Sequence, residues 1–270
     1  MTSIADTIRK RVSVRTFEDR PLSAEDRAEL EEFVAQLETP FDVPVTFRVL
    51  DAIAHGLKSP VVVGAHAYVA AKVPRTAGAE LACGYAFERF CLHATERGIG
   101  SVMLAASLSR KTFEQAMEVA PSEVMPVASP VGYPAAKRSM RESMMRKAIK
   151  SDERLPWSQL FFAGAYGVPL LAGDAGAYAV PLELLRLAPS ATNKQPWRVV
   201  VDGSTVHFYE ERTIKESKLG DIQKVDMGIA LAHFDLARRE AGIEGSFTAN
   251  DPQLSAPANV EYIASFEASS

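Results

Sequence analysis

Two short segments of this 270-residue chain concentrate side chains able to hold an anion or a planar polar ligand. Near the N-terminus stand Arg11, Val12, Ser13, Val14 and Arg15. In an extended chain alternate residues face one side, so Arg11, Ser13 and Arg15 would converge. Two guanidiniums and a hydroxyl at one point form a phosphate clamp, because arginine offers bidentate charge-assisted hydrogen bonds. A solvated basic N-terminus accounts for the same five residues. The second segment, residues 188–197, reads APSATNKQPW. It packs Pro189, Ser190, Thr192, Asn193 and Gln195 into one loop, where short side chains and turn backbone present donors and acceptors. A capped helix-to-strand turn, with Trp197 starting a buried strand, is the plain alternative.

Other chemistries find little support. The five histidines, His55, His66, His93, His207 and His233, show no metal-ligand spacing. The chain has no nucleophile elbow, phosphate loop or dinucleotide fingerprint. Cys83 and Cys91 lie eight residues apart on an expected helix, about 12 Å along its axis, too far to bridge. They read as core thiols in a reduced compartment. A net charge of -4 argues against a nucleic-acid binder, and no apolar run approaches the about 20 residues of a membrane span. Residues 1–17 lack the apolar core of an export signal, so a cytoplasmic location is expected.

The elements that must position these segments follow from periodicity and punctuation. Ser23 and Asp26 predict a capped helix carrying Leu30, Phe33, Val34 and Leu37 on one face. Strands are expected at 45–50 and 67–73, then a long helix at 82–96 closed by Gly98. A helix near 110–119 leads to a strand at 124–131, ended by Gly132, Tyr133 and Pro134. Residues 135–150 are basic, with Met140, Met144 and Met145 at helical spacing. A Gly/Ala-rich stretch then precedes a short helix at 181–187. A hairpin is expected from 198–202 and 205–210, a long helix at 226–241 ended by Gly242, and a last strand at 260–266.

Shifting the chain by 144 residues pairs Gly84 with Gly228, Phe90 with Phe234, Glu96 with Glu240, Gly98 with Gly242 and Ile99 with Ile243. Two amphipathic helices with C-terminal glycines would share some of these matches. Several fall off the apolar stripe, which favours an internal duplication. A duplicated fold imitates a two-fold dimer, whose interface is a natural place for a cofactor.

Together, the Arg-Ser-Arg segment and the 188–197 loop resemble the two signatures of nitroreductase-fold flavoproteins. Residues 98–106, GIGSVMLAA, resemble that family's third signature, and Gly132, Tyr133 and Pro134 its late strand end. In ordinary members the Pro-Ser-Asn loop shares a half with the Arg-Ser-Arg segment but contacts the partner subunit's flavin. Here the loop stands only in the second half and the Arg-Ser-Arg segment only in the first. The resemblance therefore implies an α+β fold of two related helix-and-sheet halves, residues 1–150 and 151–270, that mimic the family homodimer around one flavin. The chain would be a monomer of that kind or a weak homodimer.

Carried over residue by residue, the resemblance implies that Arg11, Val12, Ser13 and Arg15 hold the FMN phosphate and ribityl chain. Pro189, Ser190 and Asn193 would reach the flavin from the other half. Met103, Leu104, Ala105 and Ala106 would line the ring near N5 with backbone N–H groups. A further phosphate-binding cation is expected at Arg154, with Arg146 or Lys147 as alternatives, and Lys194 or Arg11 could meet charge at the ring. Ala105 and Ala106 replace the acidic residue and glycine that many members carry. The implied activity is reduction of small electron-poor acceptors, nitroaromatics or quinones, with NADH or NADPH as donor. A flavin-binding sensor or carrier, or the same fold with different flavin chemistry, are the rival implications.

Overall fold

The computed structural model describes residues 2–217 and 220–269. The chain opens with a helix that periodicity did not announce, α1 (Ile4–Lys10), whose cap Ser3 accepts the Asp6 N–H. Helix α2 (Ala24–Ala35) starts as expected, with Ser23 Oγ accepting the Asp26 N–H at 3.0 Å. Strands β1 (Thr46–Asp51) and β2 (Ala67–Pro74) follow, then α3 (Ala79–Glu96) and the short strand β3 (Gly100–Ser101). Helix α4 (Arg110–Ala116) comes next.

The single strand expected over 124–131 is in fact two, β4 (Glu123–Val124) and β5 (Ala128–Gly132). Pro126, lacking an N–H, cannot continue a ladder, and the Met125 and Pro126 carbonyls are taken by the Arg110 guanidinium instead. The basic stretch forms α5 (Met140–Ala148). Helix α6 (Trp157–Leu160) and strand β6 (Phe161–Ala163) occupy the start of the Gly/Ala-rich stretch, before α7 (Ala179–Arg186). Strands β7 (Trp197–Asp202) and β8 (Thr205–Glu211) form the expected hairpin. Helix α8 (Ile222–Glu240), strand β9 (Gly245–Thr248) and strand β10 (Val260–Ala268) complete the chain. No described helix is long and apolar enough to cross a membrane.

Two sheets result, and their topologies repeat. The first runs β1-β2-β5-β3, with β4 paired to β2; the second runs β6-β7-β8-β10-β9. Strands β7, β8, β10 and β9 occupy the places of β1, β2, β5 and β3, and every one of these pairs is antiparallel. Helices α2 and α7 precede corresponding hairpins, and α3 and α8 follow them. Strand β6, parallel to β7, has no counterpart in the first sheet.

The long helices end alike. Gly98 and Gly242 adopt φ of +73° and +71°, which glycine reaches at no steric cost. The Gly98 and Ile99 N–H groups bond to Thr95 and Ala94 carbonyls, and those of Gly242 and Ile243 to Arg239 and Arg238. Both ends are Schellman motifs, with glycine at the left-handed position.

Helices α3 and α8 cross at the centre of the molecule, and the crossing is reciprocal. A Cβ on Gly84 would lie 2.0 Å from the Val225 carbonyl oxygen, and one on Gly228 would lie 2.1 Å from that of Leu81. Residues 81 and 84 are each 144 positions from 225 and 228, so each half offers the other the same patch, as in an isologous interface. One hydrophobic core runs through the crossing, joining Tyr85, Phe87 and Phe90 to Phe208, Phe234 and Phe266. Across it Tyr85 donates to Asp235 Oδ2 at 2.6 Å, which pairs the polar groups this burial would otherwise strand.

Candidate functional site

Where α3 and α8 diverge from their crossing, a cavity of about 470 Å³ opens between the halves. All twelve residues expected from the sequence line it: Arg11, Val12, Ser13 and Arg15; Met103, Leu104, Ala105 and Ala106; Arg154; and Pro189, Ser190 and Asn193.

The N-terminal segment is held extended by β3. Ser13 bridges to Ser101 in parallel, and the Val14 N–H bonds to the Ser101 carbonyl at 2.9 Å. Val14 turns inward over Gly100, where a Cβ would stand 2.9 Å from its side chain. This leaves Arg11, Ser13 and Arg15 toward the cavity, as the alternation predicts, and Val12 also reaches its lining. The guanidiniums are deeply placed. Arg15 is 9% exposed, forms no ion pair and makes no side-chain hydrogen bond among the described residues; its Nε is buried and unpartnered. Burial pulls its pKa below the usual arginine value, opposed by Glu142 nearby. Arg11 differs, with Nε 3.3 Å from Glu88 Oε1.

The 188–197 loop arrives from the second half under strain. Thr192, Asn193 and Gln195 all adopt left-handed φ, +49°, +57° and +51°. Such backbone costs of order 1–3 kcal/mol per non-glycine residue and persists only where the surroundings enforce it. The enforcement is visible: Ser190 Oγ accepts the Gln195 N–H at 2.9 Å, and Gln195 Oε1 accepts that of Leu155 at 2.8 Å. Asn193 lines the cavity, but its amide Nδ2 already donates to the Lys150 and Glu153 carbonyls at 2.7 and 3.0 Å. Its side chain therefore ties the inter-sheet segment to the loop. Trp197 begins a buried strand, as the plain reading of that residue had it.

The third segment also departs from expectation. The Leu104 N–H, offered as one of the ring-facing donors, is spent on the Ala128 carbonyl at 2.8 Å. Among the described residues, the Ala105 and Ala106 N–H groups have no partner within the chain. Arg110 holds this loop by donating to the Ala105 carbonyl at 2.7 Å while gripping Met125 and Pro126. Nothing in the sequence singles Arg110 out.

Among the candidate extra cations, Arg154 and Arg146 both line the cavity and Lys147 does not. Arg146 is paired with Asp152. Arg154 forms no ion pair among the described residues; its nitrogens donate to the Ser151 and Leu187 carbonyls at 3.0 Å each, and its Nε is buried without a partner. Burial, then Arg11 and Arg186, lower its pKa. Lys194 lies outside the lining, and Lys215 stands in it instead.

Sequence reasoning also missed the acids. Glu88 and Asp226 line the cavity, each at most 2% exposed. Asp226 was expected at the start of the last helix, but α8 begins at Ile222, one turn earlier, which buries it. Both its oxygens accept the Ala191 N–H, at 2.9 and 3.0 Å, so it anchors the strained loop. Burial holds its carboxyl well above the ordinary range, with Glu210 and Asp221 adding to the effect. Cys83 and Cys91 are buried free thiols, and burial pushes both pKa values up, consistent with inert core residues. No group of three or more His, Cys, Asp or Glu that could hold a metal occurs among the described residues.

Residues 3–238 match the model of the family described as "Putative TM nitroreductase". The chain belongs to this family. A solved structure titled a putative nitroreductase from Thermotoga maritima is similar over 98% of this chain and 94% of that one, at 21% identity and a TM-score of 0.66, which shows a shared fold. A putative nitroreductase in complex with FMN from Desulfovibrio desulfuricans aligns with 53% of this chain and 95% of its own, at 20% identity and a TM-score of 0.41. A putative NADH dehydrogenase/NAD(P)H nitroreductase from Parabacteroides distasonis aligns with 52% and 91%, at 21% and 0.42. No curated protein matches the chain. Within this nitroreductase-family protein, the three sequence segments that carried the resemblance meet at one cavity.

Proposed function

We propose that this nitroreductase-family protein is an FMN-dependent NAD(P)H oxidoreductase that reduces small electron-poor acceptors such as nitroaromatics or quinones. The observation that carries the reading is the pair Arg15 and Arg154. One from each half, Arg15 buried and Arg154 partly buried, they are guanidiniums that form no ion pair among the described residues, each with a buried unpartnered Nε, and they face a cavity of ligand size. Taking a guanidinium charge out of water without an anion is costly, and a phosphate would meet both. The residues present therefore fit FMN. The division into halves 1–150 and 151–270 belongs to the same proposal, since a composite site explains why neither half carries both segments.

When bound, FMN would supply hydride acceptance and release, with the nicotinamide as donor and the electron-poor acceptor as the second substrate. The chain's own residues bind, orient and exclude water. Arg11, Ser13, Arg15 and Arg154 hold the phosphate and ribityl end. Pro189 and Ser190 shape the wall from the second half, kept in place by Asp226. The Ala105 and Ala106 N–H groups, without a partner among the described residues, on a loop whose Ala105 carbonyl Arg110 holds, present fixed dipoles toward negative charge on the ring.

The absence of an acidic or polar side chain at Ala105 and Ala106 favours a second reading, a flavin-binding protein without useful turnover. One experiment separates the two. The purified protein should be yellow, release FMN on denaturation, and bleach with NADH or NADPH under anaerobic conditions. Colour with no bleaching supports the second reading, and a protein that binds no FMN refutes both.

A further inference from the structure

Behind the cavity wall, Glu88 on α3 and His233 on α8 meet in complete burial, each 0% exposed. His233 Nδ1 is 2.9 Å from the Leu184 carbonyl oxygen, and its Nε2 is 2.9 Å from Glu88 Oε1. A carbonyl oxygen only accepts, so Nδ1 carries a hydrogen. With Glu88 ionised its oxygen only accepts, so Nε2 would carry one too; a protonated Glu88 would instead donate to a bare Nε2. Beside an ionised Glu88, losing either hydrogen would set a ring lone pair against an oxygen lone pair in a dry interior. Arg11 Nε stands 3.3 Å from the same Oε1, a cation that an ionised Glu88 would pair. The other groups facing this cluster are the Cys91 thiol from α3 and, beyond Arg11, the Arg154 guanidinium from the second half.

We propose that His233 is a positioning residue that acts as a buried imidazolium: it neutralises Glu88 from the second half and so leaves the charge of Arg11 free to meet an anion in the cavity. Arg11, Glu88 and His233 together carry one net positive charge. With a neutral histidine beside an ionised Glu88, that carboxylate would cancel Arg11 and the three residues would offer none. The carboxylate thus orients Arg11 while the imidazolium keeps that salt bridge from silencing it. This inference rests on the flavin reading for the identity of the anion, but not for the protonation of His233.

The test has two arms. In the unliganded wild-type protein, selectively labelled histidine should show both His233 ring nitrogens protonated by ¹⁵N NMR from pH 6 to 8, assigned by loss of the signal in His233→Gln. In flavin titrations, His233→Gln should reduce the preference for FMN over riboflavin roughly tenfold, the scale of one partly screened charge at this range. The double variant Glu88→Gln/His233→Gln restores the net charge through Arg11 and should recover most of that preference. A structural role alone would leave the double variant no better than the single one. An unprotonated ring nitrogen at pH 6, or a double variant as weak as His233→Gln, overturns the inference. If the variants do not fold, the wild-type spectrum still decides it, with the His233 signal assigned by eliminating those of His55, His66, His93 and His207 through their own substitutions. A wild type with no preference for FMN over riboflavin would refute the flavin reading and leave the ring-nitrogen result standing.

Discussion

Replacing Gly84 by Ala should loosen the cavity without touching any group that lines the phosphate end. The added Cβ would sit 2.0 Å from the Val225 carbonyl oxygen and within 3.0 Å of two more backbone atoms of that residue. Nothing there is a flexible side-chain tip, so α3 and α8 must separate by about 1 Å to reach ordinary contact. Forced overpacking of this kind costs about 1–3 kcal/mol, and helix propensity returns at most about 1 kcal/mol of it. The displacement also reaches the site, because Glu88 and Cys91 on α3 face Val225, Asp226 and Ile229 on α8 across the cavity. Urea denaturation should show a lowered midpoint, and FMN titration an affinity reduced about tenfold or more. Gly228→Ala should behave alike, since its Cβ would meet the Leu81 carbonyl at 2.1 Å. Gly173→Ala is the control: nothing lies within 4 Å of its added Cβ and its φ is ordinary, so it should be neutral. A Gly84→Ala protein with the wild-type midpoint and FMN affinity would refute the close helix crossing on which the composite site depends.

Three further outcomes are expected. Arg15→Ala/Arg154→Ala should weaken FMN far more than riboflavin, by about 1.5–3 kcal/mol per lost charge-assisted contact, read by fluorescence quenching; equal weakening would mean that neither touches phosphate. Flavin released by denaturation should approach one per chain, because the Arg-Ser-Arg segment and the 188–197 loop each occur once; two per chain would show separate sites. Glu210 is fully buried, and burial beside Asp221 pushes its carboxyl from 4.5 up to about 7. An acid whose folded pKa is raised stabilises the fold below its unfolded value and loses that contribution as pH climbs through the folded one. Stability should thus decline between about pH 4.5 and 7, by roughly 3 kcal/mol from this group. Glu210→Gln should flatten the decline in denaturation midpoints measured from pH 5 to 8, and an unchanged slope would assign it elsewhere.

The elements legible in the sequence were those whose signals are local. The Ser23 cap, the glycine-ended long helices and the Gly203 hairpin depend on residues within a turn or two of each other, and the structure has all of them. The repeat was legible because matched residues at Gly84 and Gly228 answer the same demand for close approach. Strands β3, β6 and β9 escaped because elements of two to four residues carry too little periodicity to distinguish from loop, and α1, two turns long, repeats its apolar face only once.

The candidate site divides in the same way. Residue types suited to a phosphate announced Arg11, Ser13 and Arg15, those suited to a planar polar ligand announced the 188–197 loop, and family resemblance joined them. What each group is free to do was settled by contacts far apart in the chain. Asn193 is occupied by the backbone at Lys150 and Glu153, Leu104 by Ala128, and the loop itself is held by Asp226. Glu88 and His233 stand 145 residues apart, and in the sequence each is an ordinary helical residue. Their burial and their contact exist only because α3 and α8 cross at Gly84 and Gly228. A sequence determines which hydrogen bonds a side chain is able to make; only packing decides which of them are already used.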